Sequence, residues 1–181
     1  MLAGCTTTSS GDPAPVDSKP APETTESTPS PGPSAELPFA GAPKVDNPLD
    51  TTGLQQDPCK TFTPAQTTEL NVDETGEPLD APLGSACKWS NGETRGYVQV
   101  RFNYENPVGL SGEYKADQEG EFVFFDVLDP IEGYPAVSND VVDRRPRGVC
   151  TVIVGVTDET AFEAVVQLSQ ANIGKKDPCE T

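Results

Sequence analysis

Residues 149–170 read VCTVIVGVTDETAFEAVVQLSQ, and the fold turns on how this stretch divides. Val149 to Val156 is almost continuously apolar and β-branched, the pattern of a strand covered on both faces and set inside a sheet. The second half reads differently. Thr157-Asp158 offers a start signal, Glu163 stands three residues after Thr160, and Phe162, Val165, Val166 and Leu168 crowd one side at helical spacing. A helix to about Gln170 is therefore expected. Preceded by a short helix and several strands, this order implies an α+β domain. Its expected architecture is an antiparallel sheet of about four to five strands packed against two or three helices, which cover one face.

Upstream, Val98, Val100, Phe102 and Tyr104 alternate with Gln99, Arg101 and Asn103, so residues 97–104 form a strand with one wet side. Residues 85–90 pair with it through Asn91-Gly92, a hairpin signal, although Glu93-Thr94-Arg95 lengthens the loop beyond two residues. Residues 121–128 supply another strand. Thr63, Pro64 and Gln66 occupy the N-cap, N1 and N3 positions of a capping box, which opens a short helix toward Leu70. Between them, residues 71–84 (NVDETGEPLDAPLG) read as an exposed turn-rich loop. Asn71, Asp73 and Gly76 mimic the start of a calcium loop, but Pro82 stands where the bidentate glutamate belongs.

The 181 residues carry 29 acidic and 12 basic side chains, a net charge of −17, with no histidine. Such a charge repels nucleic acid and anionic lipid headgroups. Residues 6–47 are rich in Pro, Thr, Ser and Ala and nearly free of large apolar side chains, the composition of a disordered tether. Residues 48–181 remain for one domain.

Five cysteines leave one without an intramolecular partner. Cys5 is the odd one, and Leu2-Ala3-Gly4-Cys5 resembles the bacterial lipobox, in which the cysteine thiol receives a diacylglycerol group. Residues 1–5 are then the remnant of a lipoprotein signal sequence whose charged and apolar regions are missing from the written chain. The expectation is an exported protein, lipid-anchored on the outer face of the cytoplasmic membrane. That compartment is oxidising, so Cys59, Cys87, Cys150 and Cys179 read as two disulfides. A zinc site would want C-x-x-C pairs or histidines. Of three connectivities, Cys59 with Cys87 and Cys150 with Cys179 join cysteines close in sequence; a Cys59 to Cys179 bridge across the domain ends is the open alternative.

In order, the motifs Asp57-Pro58-Cys59, Thr63-Pro64-Ala65, Cys87-Lys88-Trp89, Gly109-Leu110, Gly133-Tyr134-Pro135-Ala136-Val137, Cys150-Thr151-Val152-Ile153-Val154-Gly155-Val156 and Asp177-Pro178-Cys179 resemble an actinobacterial lipoprotein family, domain of unknown function 3558. The resemblance spans residues 47–181 and implies an exported, lipid-anchored envelope protein, with no established activity. In similar chains the last Asp-Pro-Cys opens a C-terminal helix, so the domain is expected to lack that helix.

Catalysis finds no support in the residues. Without histidine there is no Ser/His/Asp or Cys/His arrangement, and oxidised cysteines offer no thiolate. No catalytic residue, metal ligand or cofactor site is nominated. A non-catalytic protein-docking or complex-assembly module is the leading reading, with an envelope protein as partner; a receptor or carrier for a small or lipidic ligand is the alternative. Arg144, Arg145 and Arg147, in one loop before the apolar strand, and Tyr134, in the turn Glu132 to Ala136, are the candidate partner-binding residues.

Overall fold

The computed structural model of the protein describes residues 36–81, 84–103 and 105–180; Cys5, the first part of the expected tether, Pro82 and Tyr104 lie outside the described residues. The deciding stretch divides into two strands. Val149–Gly155 is β6, as expected, but the expected helix is replaced by β7, Ala161–Gln167. Thr157 Oγ1 does accept from the backbone N–H groups of Glu159 and Thr160, at 3.0 and 2.8 Å, as a helix cap would. The backbone N–H groups of Val156 and Thr157, however, turn back onto the Thr160 carbonyl, and Gly155 pairs with Ala161. The cap signal serves a hairpin. Both sides of β7 carry apolar residues because both meet protein, and that removes the alternation by which a strand is recognised.

Among the described residues the sheet has seven strands, more than the four to five expected, in the order β1-β2-β3-β7-β6-β5-β4 with every neighbour antiparallel. The remaining strands are β1 (Glu77–Ala81), β2 (Gly84–Ser90), β3 (Tyr97–Asn103), β4 (Phe124–Ile131) and β5 (Tyr134–Asp140). β1 lies within the stretch expected to be loop. Its Glu77-Pro78-Leu79-Asp80 is a poor strand sequence, tolerated because β1 is an edge. At the opposite edge, Pro130 and a register shift between Leu128 and Ile131 interrupt β4, with Asp126 and Asp129 exposed along it. These features discourage edge-to-edge pairing. Glu132-Gly133 forms the two-residue β4 to β5 turn, both at positive φ, so Tyr134 belongs to β5 instead of the turn.

Among the described residues three short α-helices, α1 (Thr52–Gln56), α2 (Pro64–Glu69) and α3 (Ser111–Gln118), are divided between the two faces of the sheet, not gathered on one. α2 carries the expected capping box. On its face Trp89, Val98 and Val100 are buried with Cys87, against Phe62 and Val72. Gly76 approaches so closely that a Cβ there would lie 2.6 Å from Trp89 Cε2. On the other face α3 brings Leu110 and Tyr114 onto Val137, Ile153 and Ala161.

Residues 36–47, expected as the end of the tether, lie across that second face. Phe39 N–H donates to Ser111 Oγ at 2.9 Å, Val45 N–H donates to Asp158 Oδ1 at 2.9 Å, and Ala42 and Val45 are buried. Their sequence carries few apolar side chains, but these backbone donors and two small buried residues hold it.

Candidate functional site

The four domain cysteines form two bridges, Cys59 to Cys87 and Cys150 to Cys179, closing sequence separations of 28 and 29 residues. Each ties an irregular segment to the sheet: the first holds the turn before α2 against β2, the second holds the C-terminal tail against β6. Gly148, at φ 79°, lets the chain pass from the arginine loop into β6.

In that loop two of the three expected arginines, Arg144 and Arg145, are committed to internal partners. Arg144 Nε donates to Asp140 Oδ2 at 2.6 Å and its Nη2 to Thr151 Oγ1 at 3.3 Å. Arg145 forks onto Asp143 at 2.9 and 3.0 Å, reaches Asp126 at 3.2 Å and lies 3.6 Å over the Phe124 ring. The hydrogen bond from Arg145 holds the Asp143 carboxyl below the usual carboxylate range. Arg147 is exposed, and among the described residues it forms no ion pair. Tyr134 packs with Ala136, Val154 and Val156. Local neutralisation and packing account for Arg144, Arg145 and Tyr134.

Beneath α3 the sheet carries a cleft of about 540 Å³ lined by both charged and apolar side chains. Strand register explains its chemistry. Arg101 of β3 stands opposite Glu163 of β7, and its Nη2 bonds Glu163 Oε2, both side chains being largely buried. Asn139 of β5 donates from Nδ2 to Glu113 Oε2 at 2.9 Å. Burial pushes the Glu113 carboxyl up, against the lowering effect of that hydrogen bond. Among the described residues, two buried atoms, Arg101 Nε and Asn103 Oδ1, have no hydrogen-bond partner. The group is drawn from β3, β5, β7 and α3, so only Arg101 and Asn103 of β3 stand near each other in the sequence.

A family model described as "Protein of unknown function (DUF3558)" matches residues 1–181. The chain belongs to the DUF3558 family. No curated protein and no solved structure matches it.

The DUF3558 domain also exposes apolar surface beside the arginine loop. Val123, Val127, Val141 and Val142 are 65, 64, 60 and 54% exposed. Val123 N–H donates to the Asp140 carbonyl at 2.9 Å, which sets Val123 beside Val141, while strand alternation places Val127 on the same side as Val123 with Phe125 between them. Phe122 stacks on Phe125 and lines the mouth of the cleft beneath α3 with Val141. Sequence reasoning passed over these valines, although Val141-Val142 between Asp140 and Asp143 is an apolar pair in a polar loop.

Proposed function

We propose that the protein is an exported envelope lipoprotein, anchored through Cys5 to the outer face of the cytoplasmic membrane, whose domain docks a protein partner without catalysing a reaction. The observation that carries docking is the exposed valine patch at 123, 127, 141 and 142, bordering the arginine loop. Apolar side chains grouped on a chain of net charge −17 suit a partner surface that is apolar at its centre and basic at its rim. Glu121, two residues before Val123, supplies acidic charge beside the patch, whereas Asp126 and Asp143 are already paired with Arg145. Two disulfides support export, since such bridges persist in oxidising compartments.

The test is photo-crosslinking in cells that express the protein with its native signal sequence, the reactive residue replacing Val127 or Val141. A single protein partner captured at both positions, and not from Glu93, is the expected result. No capture, or equal capture at Glu93, rejects docking through this patch. Cys5→Ala releases the domain from the membrane fraction if the anchor is as proposed.

A second reading, receptor or carrier for a small or lipidic ligand, is favoured by a groove of about 640 Å³ lined by Phe62, Leu70, Val72, Val98, Val166 and Leu168. Native mass spectrometry of the purified chain distinguishes it. A stoichiometric small ligand without a protein partner makes this the better account.

A further inference from the structure

We infer that the groove between α2 and the C-terminal tail binds a single-chain amphiphile with a zwitterionic head, its cationic end against Glu69, its anionic end against Lys176 and its hydrocarbon chain along β7. This rests on the second, receptor reading of that groove and names the class of ligand it takes.

Strand register builds the groove. Trp89, Val98, Val166 and Cys150 form one row across β2, β3, β7 and β6, on the same side of the sheet. Phe62 packs on Trp89 at one end of the row, and Cys179 is bonded to Cys150 at the other. The two walls therefore stand over strands three spacings apart, about 14 Å, with Val98 and Val166 as the floor between them. An opening of that width takes one extended hydrocarbon chain. Val166, Ala164 and Phe162 follow one another on this side of β7, each only partly buried, so the apolar floor runs on for about 13 Å. That track is longer than an amino-acid side chain fills.

Polar residues gather at the end of the groove nearest the β2 to β3 hairpin. Asn91 Nδ2 donates to the Asn71 carbonyl at 3.0 Å and the Gln170 N–H to the Thr94 carbonyl at 3.1 Å, which draws the end of α2 and the start of the tail to that hairpin. The lining carries one carboxylate, Glu69 on α2, and one ammonium, Lys176 on the tail. Both residues are exposed, and among the described residues neither forms an ion pair. Opposite charges held apart on opposite walls complement a head that carries both signs. A singly charged head gains one of these contacts and meets a like charge across the groove. No covalent step is involved.

The experiment titrates the purified full chain by calorimetry with amphiphiles held below their micelle-forming concentrations. It also follows the emission of Trp89, the single tryptophan, which packs against the groove-lining Phe62. The probes are dodecylphosphocholine, laurate, dodecyltrimethylammonium, dodecyl maltoside and chain-free phosphocholine. Dodecylphosphocholine is expected to bind one molecule per chain and shift the emission, and phosphocholine to do neither. Glu69→Lys or Lys176→Glu alone is expected to weaken binding about fivefold, the worth of one solvent-facing ion pair, and the two together to restore it with the head reversed. Laurate, dodecyltrimethylammonium or dodecyl maltoside binding as tightly as dodecylphosphocholine overturns the inference. So does a double exchange that binds no tighter than either single variant. If no dodecyl probe binds, native mass spectrometry separates the two failures: a copurifying ligand without a hydrocarbon chain overturns this ligand class and keeps the receptor reading, whereas a chain that carries no ligand overturns both.

Discussion

Glu113 projects from α3 into a space where its charge is poorly hydrated, and burial raises its carboxyl above the ordinary value of 4.5. The hydrogen bond from Asn139 opposes the rise, Glu163 adds to it, and Arg101 works against it. A folded-state value above the unfolded one means that the native chain holds this proton more tightly. The associated stability is fully present below pH 4.5 and is lost as pH climbs through the folded-state value. Glu113→Gln keeps an oxygen to accept from Asn139 and removes the titration. The variant is expected to melt higher than the parent at neutral pH, with the difference shrinking as pH falls below the ordinary glutamate value. Thermal denaturation by circular dichroism across that range checks it; an advantage that stays constant with pH would assign the effect to something other than this carboxyl.

At the scale of elements, α2 shows how a local signal can be fully written in sequence. Thr63 Oγ1 accepts from the Gln66 N–H at 3.4 Å, and Gln66 Oε1 accepts from the Thr63 N–H at 2.9 Å. Thr63→Ala is expected to cost about 1 kcal/mol, the usual loss for such a cap, read as a lower urea midpoint with unchanged slope. β3 was equally legible, because one of its sides is apolar and the other polar. β7 was not, since the contacts that make it a strand come from β3 and β6 on either side, while its residues satisfy a helical pattern just as well. α3 gave no sign of itself: Leu110 at its N-cap makes no side-chain cap, and Ser111-Gly112-Glu113-Tyr114-Lys115 has no apolar stripe. That omission hid the candidate site. Arg101 and Asn103 were read correctly as the polar side of a strand, yet only α3 converts that side from a wet surface into a cleft.

For the molecule as a whole, the two bridges are its covalent ties. One ties the segment preceding α2 to β2 and the other ties the C-terminal tail to β6, so two irregular segments are fastened to the sheet by covalent bonds. By the chain-entropy relation, loops of this length contribute about 3.6 kcal/mol each, or about 7 kcal/mol together, against the roughly 5–15 kcal/mol of a typical domain. Noncovalent packing is present at the first bridge and sparse at the second. Phe62 meets Trp89 with ring centroids 4.8 Å apart beside the first bridge, while the tail beyond β7 is held mainly by short-range turns such as Lys175 N–H to the Asn172 carbonyl at 2.9 Å. Reduction is therefore expected to unfold most of the population at physiological temperature, with tail amides losing hydrogen-exchange protection first and those of β6 and β7 last. Melting in the presence and absence of a phosphine reductant, with exchange read by mass spectrometry, tests this. A reduced chain that melts within a few degrees of the oxidised one would show that the fold does not need an oxidising compartment, and would remove the stability argument for export while leaving the proposed anchor at Cys5 to be judged on its own chemistry.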